Sequence, residues 1–170
     1  MKFFFLFNLV LLSCFGHAQQ DGFIRDFGKK WANAMAYTLE VAELMPENHY
    51  DFKPTPEEMT FKEQLLHMMG NVSWLSTSYL GGQKSNTDFK KKEYTKLQVI
   101  EIIREEFRLS TLAVAQLPAA ALEEEVKFFA GPMNKRQIVA LLNDHMTHHR
   151  GQLLVYLRLQ EIKPPQYRGW

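Results

Sequence analysis

Four stretches of the chain repeat apolar residues at intervals of three and four, the spacing that lines one face of an α-helix. The first covers residues 23–45, with Phe27, Trp31, Met35, Thr38, Ala42 and Met45 along one side, and Pro46 ends it. The loop ENHYDFKPTPEEM follows, with two prolines that no helix interior tolerates. The second stretch opens at Thr60, where Thr-Phe-Lys-Glu fits a capping box with the hydroxyl at the N-cap and Glu63 three positions on. Its stripe is Phe61, Leu65, Met68, Val72, Leu75 and Tyr79, and Gly81-Gly82 stops it. A second capping box, Thr95-Lys-Leu-Gln, opens the third stretch, which runs through Val99, Ile100, Ile103, Phe107 and Val114 to Leu117, where Pro118 blocks it. The fourth follows the turn AGPMN, takes Asn134 as its cap with Gln137 at the third helical position, and extends to about Gln160.

Nothing of comparable length alternates with the period of a strand. Four helices with apolar faces wide enough to share a core predict an all-α, four-helix-bundle fold. The loop after the first helix and the segment LEEEVKFFAGPM before the fourth are long enough for crossover connections, and VKFF predicts a short β-hairpin ahead of the last helix.

The chain has 170 residues and a net charge of +1, with acids and bases interspersed. That length fits one domain, and that balance gives no electrostatic ground for binding nucleic acid. The first residues stand apart from the helical pattern. MKFFFLFNLVLLSCFGHA has a lysine, an apolar run and a small-x-small ending at Ala18, the signature of a secretory signal. The run is shorter than the roughly 20 residues of a membrane span. The expectation is therefore a signal peptide over residues 1–18, a mature domain over residues 19–170 without a transmembrane segment, and an extracytoplasmic location, periplasmic or secreted. A rival reading takes Leu11 to Cys14 as a lipobox, with the protein anchored through a lipid on Cys14. Cys14 is the only cysteine, so a mature domain beginning at residue 19 has no thiolate, and any metal is held by nitrogen and oxygen.

That matters because His145, His148 and His149 fall within five residues of the fourth helix. On its wheel, Ile138, Leu142, His145, His149, Gln152 and Tyr156 share one arc, which puts His145 and His149 in the middle of the buried stripe. His148 lies on the flank, and Asp144 and Thr147 point further towards solvent. A buried imidazole nitrogen without a partner costs about 1–3 kcal/mol. Two readings meet that demand: hydrogen-bonded core histidines, or a metal ion at which an i,i+4 pair is well aimed. His67 of the second helix is a third candidate, set to one side of that helix's apolar stripe. His49, in the proline-flanked loop, is expected to be exposed.

TFKEQLLHMMGNVSWL, followed far along by HMTHHRGQLLVYLRLQEIKPPQYRGW, resembles the DinB-like (also called YfiT-like) metalloenzyme family. The run DFKPTPEEMTF and the tetrad His149 to Gln152 fit the same pattern, and the likeness spans the chain from about Phe23. The resemblance implies a four-helix bundle in which His67, His145 and His149 bind a divalent metal: zinc, nickel, iron or manganese. Characterised members include thiol-dependent S-transferases and isomerases, and many others are regarded as hydrolases. An export signal departs from that picture and counts against a thiol co-substrate, because reduced small thiols belong to the cytosol.

A three-histidine site with an open position lowers the pKa of coordinated water to about 7, the starting point for hydrolase-type attack on an ester or amide. The alternatives are a metal-binding or interaction protein without turnover, and S-transferase-type activity. His148, Asp144 and Glu63 are the candidates for a general base. Trp31, Trp74, Tyr79 and Tyr156 are candidates to line a pocket for a small-molecule substrate, with plain core packing as the competing role. Bundles of this type also associate as homodimers, though no segment marks an interface.

Overall fold

The computed structural model describes residues 22–170; the signal-peptide, lipobox and Cys14 readings concern residues outside that range. Helices α1 (Gly22–Leu44), α2 (Phe61–Tyr79), α3 (Lys96–Ala115) and α4 (Lys135–Leu159) form the bundle. Strands β1 (Glu125–Phe128) and β2 (Gly131–Asn134) make the antiparallel hairpin expected before the last helix. Short 3-10 turns sit at Glu47–His49 and Ala119–Glu123.

All three capping boxes form, and they set where α2, α3 and α4 begin. Thr60, Thr95 and Asn134 each accept the backbone N–H three residues on, while Glu63, Gln98 and Gln137 reach back to the cap's own N–H. Two of the four orphan donors at each helix start are thereby satisfied. Both α1 and α2 pack against α3 and α4, so the order around the bundle is α1, α3, α2, α4. The α1–α2 and α3–α4 connections therefore cross the bundle, as the lengths of those loops allow.

The core is built from the predicted stripes. Trp31 is fully buried with its ring against Phe27 and Phe107, and its Nε1 donates to Ser110 Oγ at 3.0 Å. Tyr156 is also buried, and its hydroxyl donates to the Met59 carbonyl. These two aromatic candidates are core residues whose polar tips have partners.

Two buried charges stand out. Glu106 of α3 is 1% exposed and receives hydrogen bonds from Ser73 of α2 and Ser85 of the following loop, while its Oε1 has no protein partner. Burial raises its pKa against the pull of those hydroxyls. Arg150 of α4 is 5% exposed, has no carboxylate partner among the described residues, and places its guanidinium 4.8 Å from the Tyr37 ring centre on α1. The carboxy-terminal stretch returns over the same place: Tyr167 meets Tyr37 edge-on and Arg168 pairs with Glu40.

Candidate metal centre

Where α2 faces α4, three imidazoles meet. His67 Nε2 lies 3.1 Å from His149 Nε2 and 3.2 Å from His145 Nε2. The three are the one group of histidine, cysteine or carboxylate side chains among the described residues arranged to hold a metal ion.

Their placement corrects the wheel. His145 and His149 are half-buried and His67 is exposed, so the cluster sits at the edge of the buried faces of α2 and α4 rather than in the bundle centre. The buried face of α4 is broad because it packs on both α1 and α2, and Met146 and Arg150 lie inside it. That shifts its middle away from the arc of Ile138, His145 and Tyr156, and leaves the histidines on the α2 side. The offset of His67 from its own stripe is what lets it meet them there.

Surrounding groups set the protonation state. His149 Nδ1 is 2.8 Å from Gln64 Oε1 and 2.9 Å from Gln152 Oε1. Two amide oxygens there require the proton on Nδ1, which leaves Nε2 with a bare lone pair directed at the cluster. Gln64 Nε2 donates to Gln152 Oε1 at 2.8 Å, which fixes which end of Gln64 faces the ring. Burial pushes the His145 pKa down to about 4, with the imidazoles of His149, His67 and His148 adding to the effect. Burial also lowers His67 and His149, the latter against the hydrogen bond to Gln152. All three rings are therefore neutral at pH 7, the form in which imidazole binds metal.

Three facing nitrogens need something between them. One proton on His67 Nε2 can reach both neighbours only as a shared, three-centre bond. A divalent cation accepts all three lone pairs at once. Nitrogens on a tetrahedral centre with bonds of about 2.0–2.1 Å lie about 3.3 Å apart, and the two contacts here are 3.1 and 3.2 Å. The residues present fit a divalent metal with three nitrogen ligands.

Beside His67 opens a cavity of about 770 Å³, bounded by the outward face of α2, the 51–60 loop and the 89–92 loop. Trp74 lines it and is 38% exposed, so of the four aromatic candidates it alone reaches the cavity. Tyr79 packs instead against Trp74 and Phe128 of the hairpin.

The proposed bases divide. Glu63 lines the cavity, but its carboxylate accepts from the Thr60 N–H, which holds its pKa down and makes it a weak base. His148 is exposed, with its ring 4.8 Å from that of His149. Asp144 is exposed beside a separate depression lined by Phe23 and Lys30. His49 is half-buried rather than exposed.

Gln64 was not among the candidates read from the sequence. Its signal was present: a glutamine one turn before His67, with no solvent-facing reason for its type. The lysines of the 89–92 loop gave no helical pattern to place them.

The model of the DinB family matches residues 19–169, nearly the whole chain. The chain belongs to the DinB family. The protein YjoA of Bacillus subtilis (strain 168) is 26% identical over 125 residues, which is 71% of this chain and 80% of YjoA. Among solved structures, a DinB-like protein from Bacillus cereus ATCC 10987 superposes with a TM-score of 0.75 at 18% identity, covering 85% of this chain and 97% of its own. The DinB-like YjoA structure from Bacillus subtilis gives 0.70 at 22% identity, over 84% of this chain and 97% of its own. At those identities the superpositions show the shared DinB-like fold. Among the described residues, no helix is long and apolar enough to cross a membrane.

Proposed function

We propose that this DinB-family protein is an exported, metal-dependent enzyme with hydrolase-type chemistry, its metal held by His67, His145 and His149. The observation that carries the reading is the convergence of three Nε2 atoms at 3.1 and 3.2 Å. When bound, a divalent metal supplies Lewis acidity, polarising a carbonyl or phosphoryl oxygen and activating water. Imidazole suits zinc, nickel and iron, and the choice among these and manganese follows from supply as much as from the ligands.

The chain's own residues provide the rest. Gln64 and Gln152 hold the His149 ring in one tautomer and orientation. The capping box at the start of α2 fixes the position of His67 two turns on. The cavity beside His67 gives a small molecule access to the cluster, which favours turnover over storage of metal. His148, exposed and next to His149, is the group able to carry protons between the site and solvent.

The test is metal content by mass spectrometry on the purified mature protein and on His145→Ala, followed by a screen with ester, amide and thiol substrates. The expected result is near-stoichiometric metal in the parent and its loss in the variant. A parent that stays metal-free after reconstitution with zinc, nickel, manganese and iron(II) refutes the reading. Metal without turnover on any substrate class favours the non-catalytic alternative, and turnover that requires a thiol favours the S-transferase. Export is checked separately, by sequencing the amino terminus of protein recovered outside the cytoplasm, where a start at Gln19 is expected.

A further inference from the structure

The walls of the cavity beside His67 are chemically uneven. One side is apolar: Trp74, Leu66 and Phe89 present rings and methyl groups. Phe89 lies directly on α2, because a Cβ at Gly70 would come 3.3 Å from its Cγ. The loop after Phe89 continues as Lys90-Lys91-Lys92, and all three lysines line the cavity and are exposed.

Acidic residues line it too, and most of them are already engaged. Asp51 forms an ion pair with Lys62 at 2.9 Å. The Glu63 carboxylate accepts the Thr60 N–H at 2.9 Å. Glu57 is held by its own backbone N–H and the Thr55 hydroxyl, which lower its pKa. Only Glu58 is without such a partner.

The lysines contrast with them. None of Lys90, Lys91 and Lys92 forms an ion pair among the described residues; Lys91 sits over the Tyr94 ring at 4.9 Å, and Lys92 is near enough to Glu63 to help hold that carboxyl's pKa down. Three adjacent cations on one lip repel one another, and an anion between them relieves that repulsion. Asn71 adds a polar side chain to the α2 wall.

We propose that this cavity binds a small organic anion: an apolar or aromatic body against Trp74 and Phe89, and an anionic group between the lysines of the 90–92 lip. The inference rests on the metalloenzyme reading in one respect, that the anion is the substrate whose reacting bond lies beside His67. Binding itself depends on the cavity alone.

Calorimetric titration of the mature, metal-loaded protein with 4-phenylbutyrate, its neutral amide and butyrate separates the contributions. Binding of 4-phenylbutyrate is expected, with the amide weaker by about tenfold or more, the size of one charge-assisted contact. Butyrate is expected to be weaker still for want of the ring. Trp74→Ala should weaken 4-phenylbutyrate about fivefold or more, and the double variant Lys90→Glu, Lys92→Glu should abolish its advantage over the amide. Both lysines are exposed, so that variant leaves the core untouched. No saturable binding of 4-phenylbutyrate below about 10 mM overturns the proposal, as does equal binding of the amide or no change in the lysine variant. His145 does not line the cavity, so His145→Ala should lose metal and keep the anion. Anion binding by a protein that takes up no metal refutes the metalloenzyme reading alone; metal uptake without anion binding refutes this one alone.

Discussion

His149 and Arg150 are neighbours in sequence, and they serve opposite sides of α4. His149 turns towards α2, where both ring nitrogens have counterparts: the amide oxygens of Gln64 and Gln152 on one, the cluster on the other. Arg150 turns towards α1, where its Nη1 finds no partner and the Tyr37 ring face takes the place of a counter-ion. Both are nitrogen-rich side chains in a helix interface. The difference lies in what the surroundings prepare. Around His149, two glutamines choose a tautomer and leave one lone pair aimed at a common point. Around Arg150, packing merely tolerates a charge. A polar group held for chemistry is recognisable by neighbours that fix its protonation and direction; burial alone does not mark it.

The largest predicted effect is on the prepared side. His149→Ala removes one of the three proposed ligands and should lower metal affinity by more than about a hundredfold, read by competition with a chromogenic chelator. His67 lies 82 and 78 residues from its partners. A metal there also links α2 to α4, so chelation should lower the parent's Tm and leave that of the variant unmoved. Gln64→Leu keeps the volume and deletes one acceptor on His149 Nδ1; a loss of about 10–100-fold in metal affinity is expected, with all three ligands present. An unchanged affinity would show that the glutamines do not prepare the site.

Glu106 extends the comparison to the α2–α3 interface. Its folded pKa is raised above the usual 4.5, so the fold disfavours its charged form. The native state is then helped by this group below pH 4.5 and loses that help as pH rises from there through the folded value. Glu106→Gln should therefore be more stable than the parent at pH 7, with the advantage vanishing towards pH 4 in urea titrations. The lowered carboxyls Glu57 and Glu63 act in the opposite sense, but they are common to both proteins and cancel in the difference, while repulsion from neighbouring Glu105 is part of what Glu106→Gln relieves. The smallest effect is expected at Arg150→Met, which exchanges an unpartnered buried charge for an apolar chain of similar length; stability should change by less than about 1 kcal/mol or rise. A cost of about 3 kcal/mol or more would mean that Arg150 has a partner in solution that the Tyr37 contact does not represent.

What the sequence disclosed follows the range of the forces involved. Helix starts are decided within four residues, so Thr60, Thr95 and Asn134 announced all three capping boxes. Apolar stripes are decided within two turns, and they predicted the bundle and most of its core. The hairpin at Glu125–Asn134 was readable from VKFF, but its turn is Phe129-Ala130, and most of the AGPMN stretch expected as a turn is strand β2, because Gly131 and Pro132 pair with Phe128 and Lys127. Which flank of a stripe meets which neighbour is settled only when four helices pack. The wheel accordingly put His145 and His149 at the centre of a face whose middle is held by Met146 and Arg150. For the same reason Gln64 could not be paired with His149 in advance, since they stand 85 residues apart. His67 was carried by the family motif, where helical periodicity argued for neither side. The 90–92 lysines lie in a loop, where no period constrains direction.

The contact between Gly70 and Phe89 has a consequence for how such a protein changes over generations. A helix position with no side chain receives one ring, and that ring seats the start of the loop bearing the three lysines. The three histidines stand on helices whose other faces are committed to the core, so they drift only at the expense of the whole bundle. The loop beyond Phe89 is exposed and bears almost none of that packing, so mutation can reshape it freely. Selection can then replace the recognition of one compound by another while the imidazoles stay where they are, which makes this chain one draft among many that the same scaffold can carry.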